Sequence, residues 1–414
     1  MTDQAIALIQ QLSSLGEKLS SGGDGDQSVR NEAIFLSRRI ATSLEQPQNV
    51  AVDLAFSPFL AVAARVADGL DLFKHIANSK GPMTSGDLAS ASGGEELLIS
   101  AAAKLDVEPK KTDFTNSIAG RVLRPLATIG FVDEVGERTW QATPITRAMA
   151  TEEVASGHRM VGEMIVGAAQ KAPDYFREGG YRCPTEPRDG LMQYAFRTKL
   201  PTFELFRSVP RVFGDFNTFM GNTMGARRYW VDWFPVQGRL ADGARPDAAL
   251  VVDVGGGRGH DLLAFNARYP GRGRLVLQDL SSVTGGLGDV DPAVEVMPYD
   301  FFTEQPVKGA RAYFFHHILH DWSDQYCLKI LEQARKSMTP GYSKLLIHDL
   351  IVPERGADKF TAVFDLVMMA FNAGIERTES QWRQLLGKAG LDVVGVWPPP
   401  EAGADGIIEA MLSE

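Results

Sequence analysis

The sequence predicts an α/β protein with a mostly parallel sheet in its C-terminal half, preceded by a helical N-terminal region. Three observations lead there. From residue 247 short apolar runs alternate with helical stretches, as strands joined by crossover helices do. A glycine turn, Gly255, Gly256, Gly257 and Gly259, follows the first of those runs. Upstream of it helical periodicity dominates, interrupted by one hairpin pattern.

At the N-terminus Ile6, Ile9, Leu12, Leu15 and Leu19 recur at helical spacing, and Ile34, Ile40 and Leu44 suggest a second helix that stops near Pro47. The linking stretch SSGGDGDQS reads as a flexible connection. Two such helices (residues 1–48) need a partner surface. They pack either on their own chain or on a second copy, and the second is the expectation here.

Residues 49–175 read as helices, a hairpin and more helix. DLAFSPFLAVAARVADGLDLFKHIA is a helix pair broken at Gly69. Thr84 with Asp87 has the spacing of a capping box ahead of SGDLASAS. AGRVLRPLATIG is a further helix, and FVDEVGERTWQAT two short strands around Gly136-Glu137. Helices with a β-wing resemble a winged helix. Residues 155–235 are helical and rich in Phe, Met and Trp, with FGDFNTFMGNTMGARRYWVDWFPV the densest part.

In the last region, 176–414, AALVVDV, RLVLQDL, AVEVMPYD, ARAYFFHH and KLLIHDLIV read as strands. HDLLAFNARY, DQYCLKILEQARKSM, TAVFDLVMMAFN and SQWRQLLGKAG read as helices, and LDVVGVW and GIIEAML as two closing strands.

Composition narrows the function. The 414 residues are 44% hydrophobic and carry a net charge of −10. That disfavours nucleic acid or an anionic membrane as the main partner. The two cysteines, Cys183 and Cys327, stand outside any CxxC pattern, so no disulfide framework or zinc site is expected, and a reducing, cytoplasmic setting fits. No uninterrupted apolar run approaches ~20 residues, so no membrane span is expected.

The glycine turn lies where a strand hands over to a helix, so backbone N–H groups can face a ligand. Its spacing is GxGxG; the dinucleotide pattern wants glycine at 260, where His260 stands. An adenosine ligand without a pyrophosphate therefore fits better. Asp279, closing the next strand, suits a pair of ribose hydroxyls. Asp300 closes the third with Phe301 beside it, a carboxylate for an adenine amino group and a ring for the base.

The stretch YFFHHILHDWSDQ holds three of the seven histidines, His316, His317 and His320. His320 falls just past the strand ARAYFFHH, on the same rim. A neutral imidazole there can take a proton from a phenolic hydroxyl, and a carboxylate beside it would stabilise the charged ring. Asp349 and Glu376 both reach that rim. Two other readings exist. His320 could cap the next helix. The three histidines could bind a metal, although adjacent strand residues point to opposite faces.

These pieces, VDVGGGRG, LQDL, YDFF, HDWSD, IHDLIVPE and DLVMMAFNAGIERTESQW, resemble the S-adenosylmethionine-dependent O-methyltransferases of the plant caffeate/flavonoid type and their fungal secondary-metabolite relatives. The match runs over 185–414 and, more loosely, over about 50–150. The resemblance implies a Rossmann-like class I methyltransferase sheet, mostly parallel with an antiparallel last strand, behind a winged-helix dimerisation domain. It implies His320 as base with Asp349 and Glu376 as flanking acids. It implies cofactor contacts from Asp253, Gly255, Gly256, Gly257, Asp279, Leu280, Asp300 and Phe301, and from His316, where the family usually carries Lys or Arg. It also implies a homodimer. Residues 99–118 interrupt the family pattern.

Phe219, Met220, Trp230, Trp233, Met368, Met369 and Asn372 are the expected wall of a flat, apolar acceptor pocket. The leading expectation is methyl transfer to a hydroxyl of an aromatic or polyketide-type small molecule, with no metal. The runner-up is a family member that guides a pericyclic or dehydration reaction on a similar substrate without methyl transfer. A nicotinamide oxidoreductase is disfavoured by His260, and a DNA-binding regulator by the acidic balance.

Overall fold

The computed structural model describes residues 2–21, 27–95, 121–220, 228–288, 290–401 and 403–413. The interruption at 99–118 and most of the expected link after the first helix lie outside the described residues. The chain forms two compact units. One comprises Met1–Lys18, Ala33–Val166 and Phe206–Thr223, the other Leu19–Glu32, Gly167–Leu205 and Met224–Glu414. The division falls at 166 rather than 175, and 206–223 returns to the first unit. Two contacts explain the return. Arg159, on helix Glu152–Met160, grips Asp215 on helix Pro210–Met220 at 2.7 Å. The Phe219 ring lies so close to Gly157 that a Cβ there would meet it at 2.4 Å.

In the first unit three short strands, β1 (Met83–Thr84), β2 (Val132–Gly136) and β3 (Thr139–Ala142), form an antiparallel sheet in the order β1-β3-β2. Helices Leu72–Asn78, Ser85–Ser92 and Leu123–Thr128 pack with it around Leu72, Phe73, Leu88, Leu126 and Trp140. The capping box is present: Asp87 N donates to the Thr84 hydroxyl and Thr84 N to the Asp87 carboxylate. Trp140 buries its ring and donates its indole N–H to Ser85 Oγ at 2.9 Å.

The N-terminal helices are Thr2–Ser21 and Gln27–Leu44. Their inward residues are Ala5, Leu8, Leu15 and Leu36, whereas Ile6, Ile9, Ile34, Phe35 and Leu44 face outward. Helix Pro47–Phe56 buries none of its residues. Val52, Leu54, Phe56, Phe59 and Val62 continue the exposed apolar surface. The sequence reading missed one feature: the segment Pro47–Gly69, 23 residues, is long and apolar enough by composition to cross a membrane. It is two helices meeting at Ser57, where Pro58 removes a backbone donor. Two of its three charged residues face protein: Asp68 pairs with Arg159 at 3.2 Å and Arg65 with Glu163 at 3.9 Å.

The second unit is built on a seven-stranded sheet. Its strands are β4 (Ala249–Val254), β5 (Arg274–Asp279), β6 (Val294–Pro298), β7 (Ala312–His316), β8 (Lys344–Asp349), β11 (Leu391–Trp397) and β12 (Gly406–Leu412). Their order is β11-β12-β8-β7-β4-β5-β6. All lateral pairs are parallel except those made by β12. Two further short strands, β9 (Ile351–Val352) and β10 (Arg377–Thr378), pair in parallel beyond the sheet. Strands β4, β7 and β8 are nearly continuous apolar runs because both faces are covered. One core holds Tyr313, Phe315, Ile330, Leu345 and Trp382, the other Trp230, Phe265, Phe314 and Leu346. The chain turns from one side of the sheet to the other between β4 and β7, so the crevice for a ligand opens at their carboxyl ends.

Candidate active site

Asp279 and Asp349 close β5 and β8, Asp300 and Phe301 lie just past β6, and His320 and Glu376 lie in a turn and a loop beyond the strands. After β4, Gly255 and Gly257 adopt φ of +77° and +58°, a region that side chains with a Cβ rarely enter. A Cβ on Gly255 would lie 2.5 Å from Ile318 Cδ1, and one on Gly256 2.3 Å from Asp253 Oδ2. The loop is therefore bare backbone laid over Asp253. That carboxylate is fully buried with no hydrogen-bond partner on either oxygen, and burial, reinforced by Asp261, pushes its pKa well up. Asp279 closes β5 and ties the cradle together: its Oδ2 accepts from Gly257 N at 2.9 Å and its Oδ1 from Leu280 N at 2.7 Å. Leu280 itself is exposed. Past β6, Asp300 accepts from Phe302 N at 3.0 Å. The Phe301 ring lies 3.8 Å from the Cβ position of Gly255 and edge-on to Trp322. A cradle without side chains, with acids and a ring at successive strand ends, fits an adenosine-type cofactor.

His316, at the end of β7, is half-buried, with its side chain nearly out of solvent, and turns its Nδ1 to Asp261 Oδ2 at 2.7 Å. Burial opposes charge on Asp261, but His316 and His260 hold it well below the usual carboxylate range. His317 follows with φ +52°, a left-handed backbone in a non-glycine residue. That turn undoes the strand alternation assumed from sequence. The rings of His316 and His317 come to 4.4 Å, and His317 stacks on His320 at 4.9 Å with planes 18° apart.

His320 lies in the 3-10 turn Leu319–Asp321, buried, with Nδ1 2.7 Å from Glu376 Oε1. It does not cap the following helix, whose N-cap is Ser323. The site is held in place by the segment after helix Lys359–Asn372. Ala373 turns left-handed, and Gly374 passes so close to the His320 carbonyl that a Cβ would sit 2.2 Å from it. Ile375 N donates to that same carbonyl at 2.8 Å. Glu376 N donates to Asp365. Arg377, fully buried, donates to the carbonyls of Leu319 and Trp322 and to Asp324.

Electrostatics divide the groups. Burial drives His320 below the usual histidine value, while Asp349 and Asp321 oppose that. Burial pushes Asp349 and Asp321 up to about 7 and Glu376 to about 8. Both Asp349 oxygens are buried without a hydrogen bond. In the tautomer that donates from Nδ1 to Glu376, the His320 lone pair at Nε2 is free to accept a proton. The nearest carboxylate to Nε2 is Asp321, at 3.7 Å.

The residues expected to wall the acceptor pocket divide between the two units. Phe219 and Met220 belong to the first unit, the other five to the second. Trp230 is a core residue: it is fully buried and stacks on Phe314 at 4.7 Å and Phe265 at 5.8 Å. Trp233 is half-buried, 6.0 Å from the His348 ring. Met368 is buried and Met369 half-buried. Asn372 donates to the Asp321 carbonyl at 3.1 Å. Phe364, one turn before Met368, is 6.1 Å from the His320 ring and was not singled out from sequence. Neither were Arg377, Gly374 or the pair His317–Asp405, at 3.1 Å.

Sheet order, glycine cradle and histidine–acid rim define a class I methyltransferase that uses S-adenosylmethionine. The comparisons agree. A family model described as an O-methyltransferase domain matches residues 246–392. The O-methyltransferase penC of Penicillium thymicola is 49% identical over 410 residues, 99% of this chain and 97% of the relative. The O-methyltransferase asqD of Emericella nidulans is 51% identical over 356 residues, 85% and 87% of the two chains. Among solved structures, one described as a pericyclic reaction enzyme superposes with TM-score 0.83 at 26% identity, covering 100% of both chains. OxaC in complex with SAH and oxaline gives 0.82 at 25%, again 100% of both. The chain belongs to the S-adenosylmethionine-dependent O-methyltransferases, alongside fungal enzymes of secondary metabolism.

Proposed function

We propose that this enzyme methylates a hydroxyl of an aromatic or polyketide-type small molecule, with His320 as general base. The observation that carries the reading is the buried contact of His320 Nδ1 with Glu376 Oε1, 2.7 Å, on the rim that also bears the glycine cradle. Asp279 would hold the ribose hydroxyls, and Asp300 and Phe301 the adenine, with Gly255–Gly257 as the floor. When bound, the cofactor supplies a methyl group made electrophilic by a sulfonium centre. The chain supplies the rest. His320 Nε2 accepts the acceptor's hydroxyl proton, and Glu376 stabilises the ring once charged. Asp349 adds a second, deeper carboxyl beside that ring. Phe364, Met368 and Met369 offer apolar surface near it that excludes water.

The exposed apolar surface around Val52, Leu54, Phe56, Phe59 and Val62 supports a homodimer. Two free thiols support a reducing, cytoplasmic setting. The deciding experiment incubates the protein with methyl-labelled cofactor and a panel of phenolic polyketides and aromatic alkaloids. Label must appear on an acceptor oxygen.

A second reading rests on one observation, the likeness to a pericyclic reaction enzyme over the whole chain. In that case the carboxyls raised by burial would polarise a carbonyl and no methyl would move. Tight cofactor binding with no labelled product from any acceptor, together with rearranged substrate, would favour it.

A further inference from the structure

His317 and Asp405 are absent from the reaction described above, yet they are the residues packed directly behind the base. His317 Nε2 lies 3.1 Å from Asp405 Oδ1, with both side chains largely out of solvent. Asp405 comes immediately before β12, which runs antiparallel beside β8, so its start reaches the same rim as the end of β7. The left-handed backbone at His317 is what swings the ring over His320. Such a conformation is unfavourable in a non-glycine residue and persists where the surroundings hold it.

We propose that the His317–Asp405 ion pair is a positioning element for the base: its flat, charged ring, stacked on His320, fixes the His320 plane and keeps His320 neutral so that it accepts the acceptor's proton. The proposal rests on His320 being the base. His317 is a positioning residue, since it touches neither of the ring nitrogens of His320 that act.

The groups around the stack bear on the charge of each ring. Asp405 faces His317 from the start of β12. Asp349 faces it from the end of β8, and Glu376 from the loop beyond helix Lys359–Asn372. Against burial, these three raise His317 to about 9, so it is charged at neutral pH. His317 in turn holds Asp405 well below the carboxylate range, against its burial. On the other side His316 and His348 close the layer, with ring centroids 4.2 Å apart; burial keeps His348 neutral, at about 3. His320 is thus the one ring of the stacked pair left without a charge. A like charge alongside opposes protonation of a neighbour, whereas Asp349 and Asp321 favour it. Without His317 burial alone would oppose these acids at His320.

The test uses the full-length protein with its histidine rings isotopically labelled, and reads each imidazole by its ring-carbon resonance through a pH titration. The wild type should show His317 protonated at pH 7 and His320 neutral. In Asp405→Asn, His317 should lose its charge at pH 7. The His320 midpoint should rise by about 0.5–1 unit in His317→Phe, which keeps a stacked ring without a charge, and by less in Asp405→Asn, because Asp405 itself favours a charged His320. The acid limb of kcat/KM should move up by the same amount while cofactor affinity stays within twofold, and Asp405→Glu should restore the wild-type profile. An unmoved His320 midpoint in both His317→Phe and Asp405→Asn would overturn the proposal. So would a stoichiometric metal ion in the isolated protein, because His316, His317 and Asp405 bring ligand-type atoms within 4.8 Å of one another. Failure of the base assignment is distinguishable: it would leave the ring titrations as described but let His320→Ala turn over normally.

Discussion

His320 Nδ1 sits 2.7 Å from Glu376 Oε1, two residues that are distant in the chain and brought together by Gly374. In the tautomer with the ring proton on Nδ1, toward Glu376, Nε2 is the nitrogen that accepts. His320→Ala should therefore lower methyl transfer by about 10²- to 10⁴-fold. Cofactor affinity measured by calorimetry should be nearly unchanged, since the ring is not part of the glycine cradle. An acceptor with an unusually acidic hydroxyl should recover part of the lost rate. Wild-type turnover by the variant would refute the assignment.

The pH profile follows from the direction of the shift. Burial lowers His320 below its ordinary value of about 6.5, so the neutral, active form is present at neutral pH and is lost as pH falls through the lowered pKa. The acid limb of kcat/KM should have its midpoint below pH 6.5. A midpoint clearly above 7 would contradict the buried setting.

Much of the second unit was legible in the sequence. β4, β5, β7 and β8 are largely apolar runs, β4 followed by a glycine and β5 and β8 ended by an acid, and both-face burial makes such runs continuous. The rim acids could be placed because parallel strands end on one side. Other features left no local mark. Nothing in HHILHD signals that His317 turns left-handed, because glycine or asparagine is the usual sign of that conformation. Asp405 is a lone acid before a short strand, and its partner is fixed only by the antiparallel return of β12. Trp230 read as pocket because aromatic density alone does not separate a core stack from a cavity wall. Of the stripe expected on the first helix, Leu15 is buried and Leu12 half-buried, whereas Ile6 and Ile9 face outward.

Asp279 has two duties, bracing Gly257 and Leu280 and facing the cofactor's ribose. Asp279→Ala should weaken S-adenosylmethionine binding tenfold or more, since charge-assisted hydrogen bonds contribute on the order of 1.5–3 kcal/mol each. Asp279→Asn should fall between, because the amide retains one acceptor. Equal calorimetric affinities for all three proteins would remove Asp279 from the site.

The apolar surface of the first unit predicts self-association. Covering a large apolar side chain contributes about 1.5–3 kcal/mol, and Leu54, Phe56 and Phe59 are all more than 60% exposed. The full-length chain should be a dimer by light scattering. Phe56→Asp with Phe59→Asp should give a folded monomer at low concentration, and deletion of residues 1–48 a monomer or aggregate. A clean, active monomer from the unaltered chain would refute the prediction.

Gly374 is the tightest point of the site, and its substitution separates geometry from chemistry. Its backbone runs against the His320 carbonyl and the Asp321 main chain, so an added methyl would lie 2.2 Å from the former and 2.9 Å from the latter. Neither obstacle is a flexible side-chain tip; both are backbone, and Arg377 pins the same turn through Leu319 and Trp322. Gly374→Ala must therefore push the Glu376 loop away from the turn that carries His320. The 2.7 Å contact should lengthen and the ring lose its fixed orientation. The variant should bind the cofactor like the wild type, because the cradle lies at β4 and β5. Its kcat should fall at least tenfold, since displacement of a general base by about 1 Å is costly. The acceptor's KM should change less, because the apolar wall on helix Lys359–Asn372 precedes the displaced loop. If kcat is unchanged while the protein stays folded by circular dichroism, the loop is not what sets the base, and the Glu376 contact loses its assigned role.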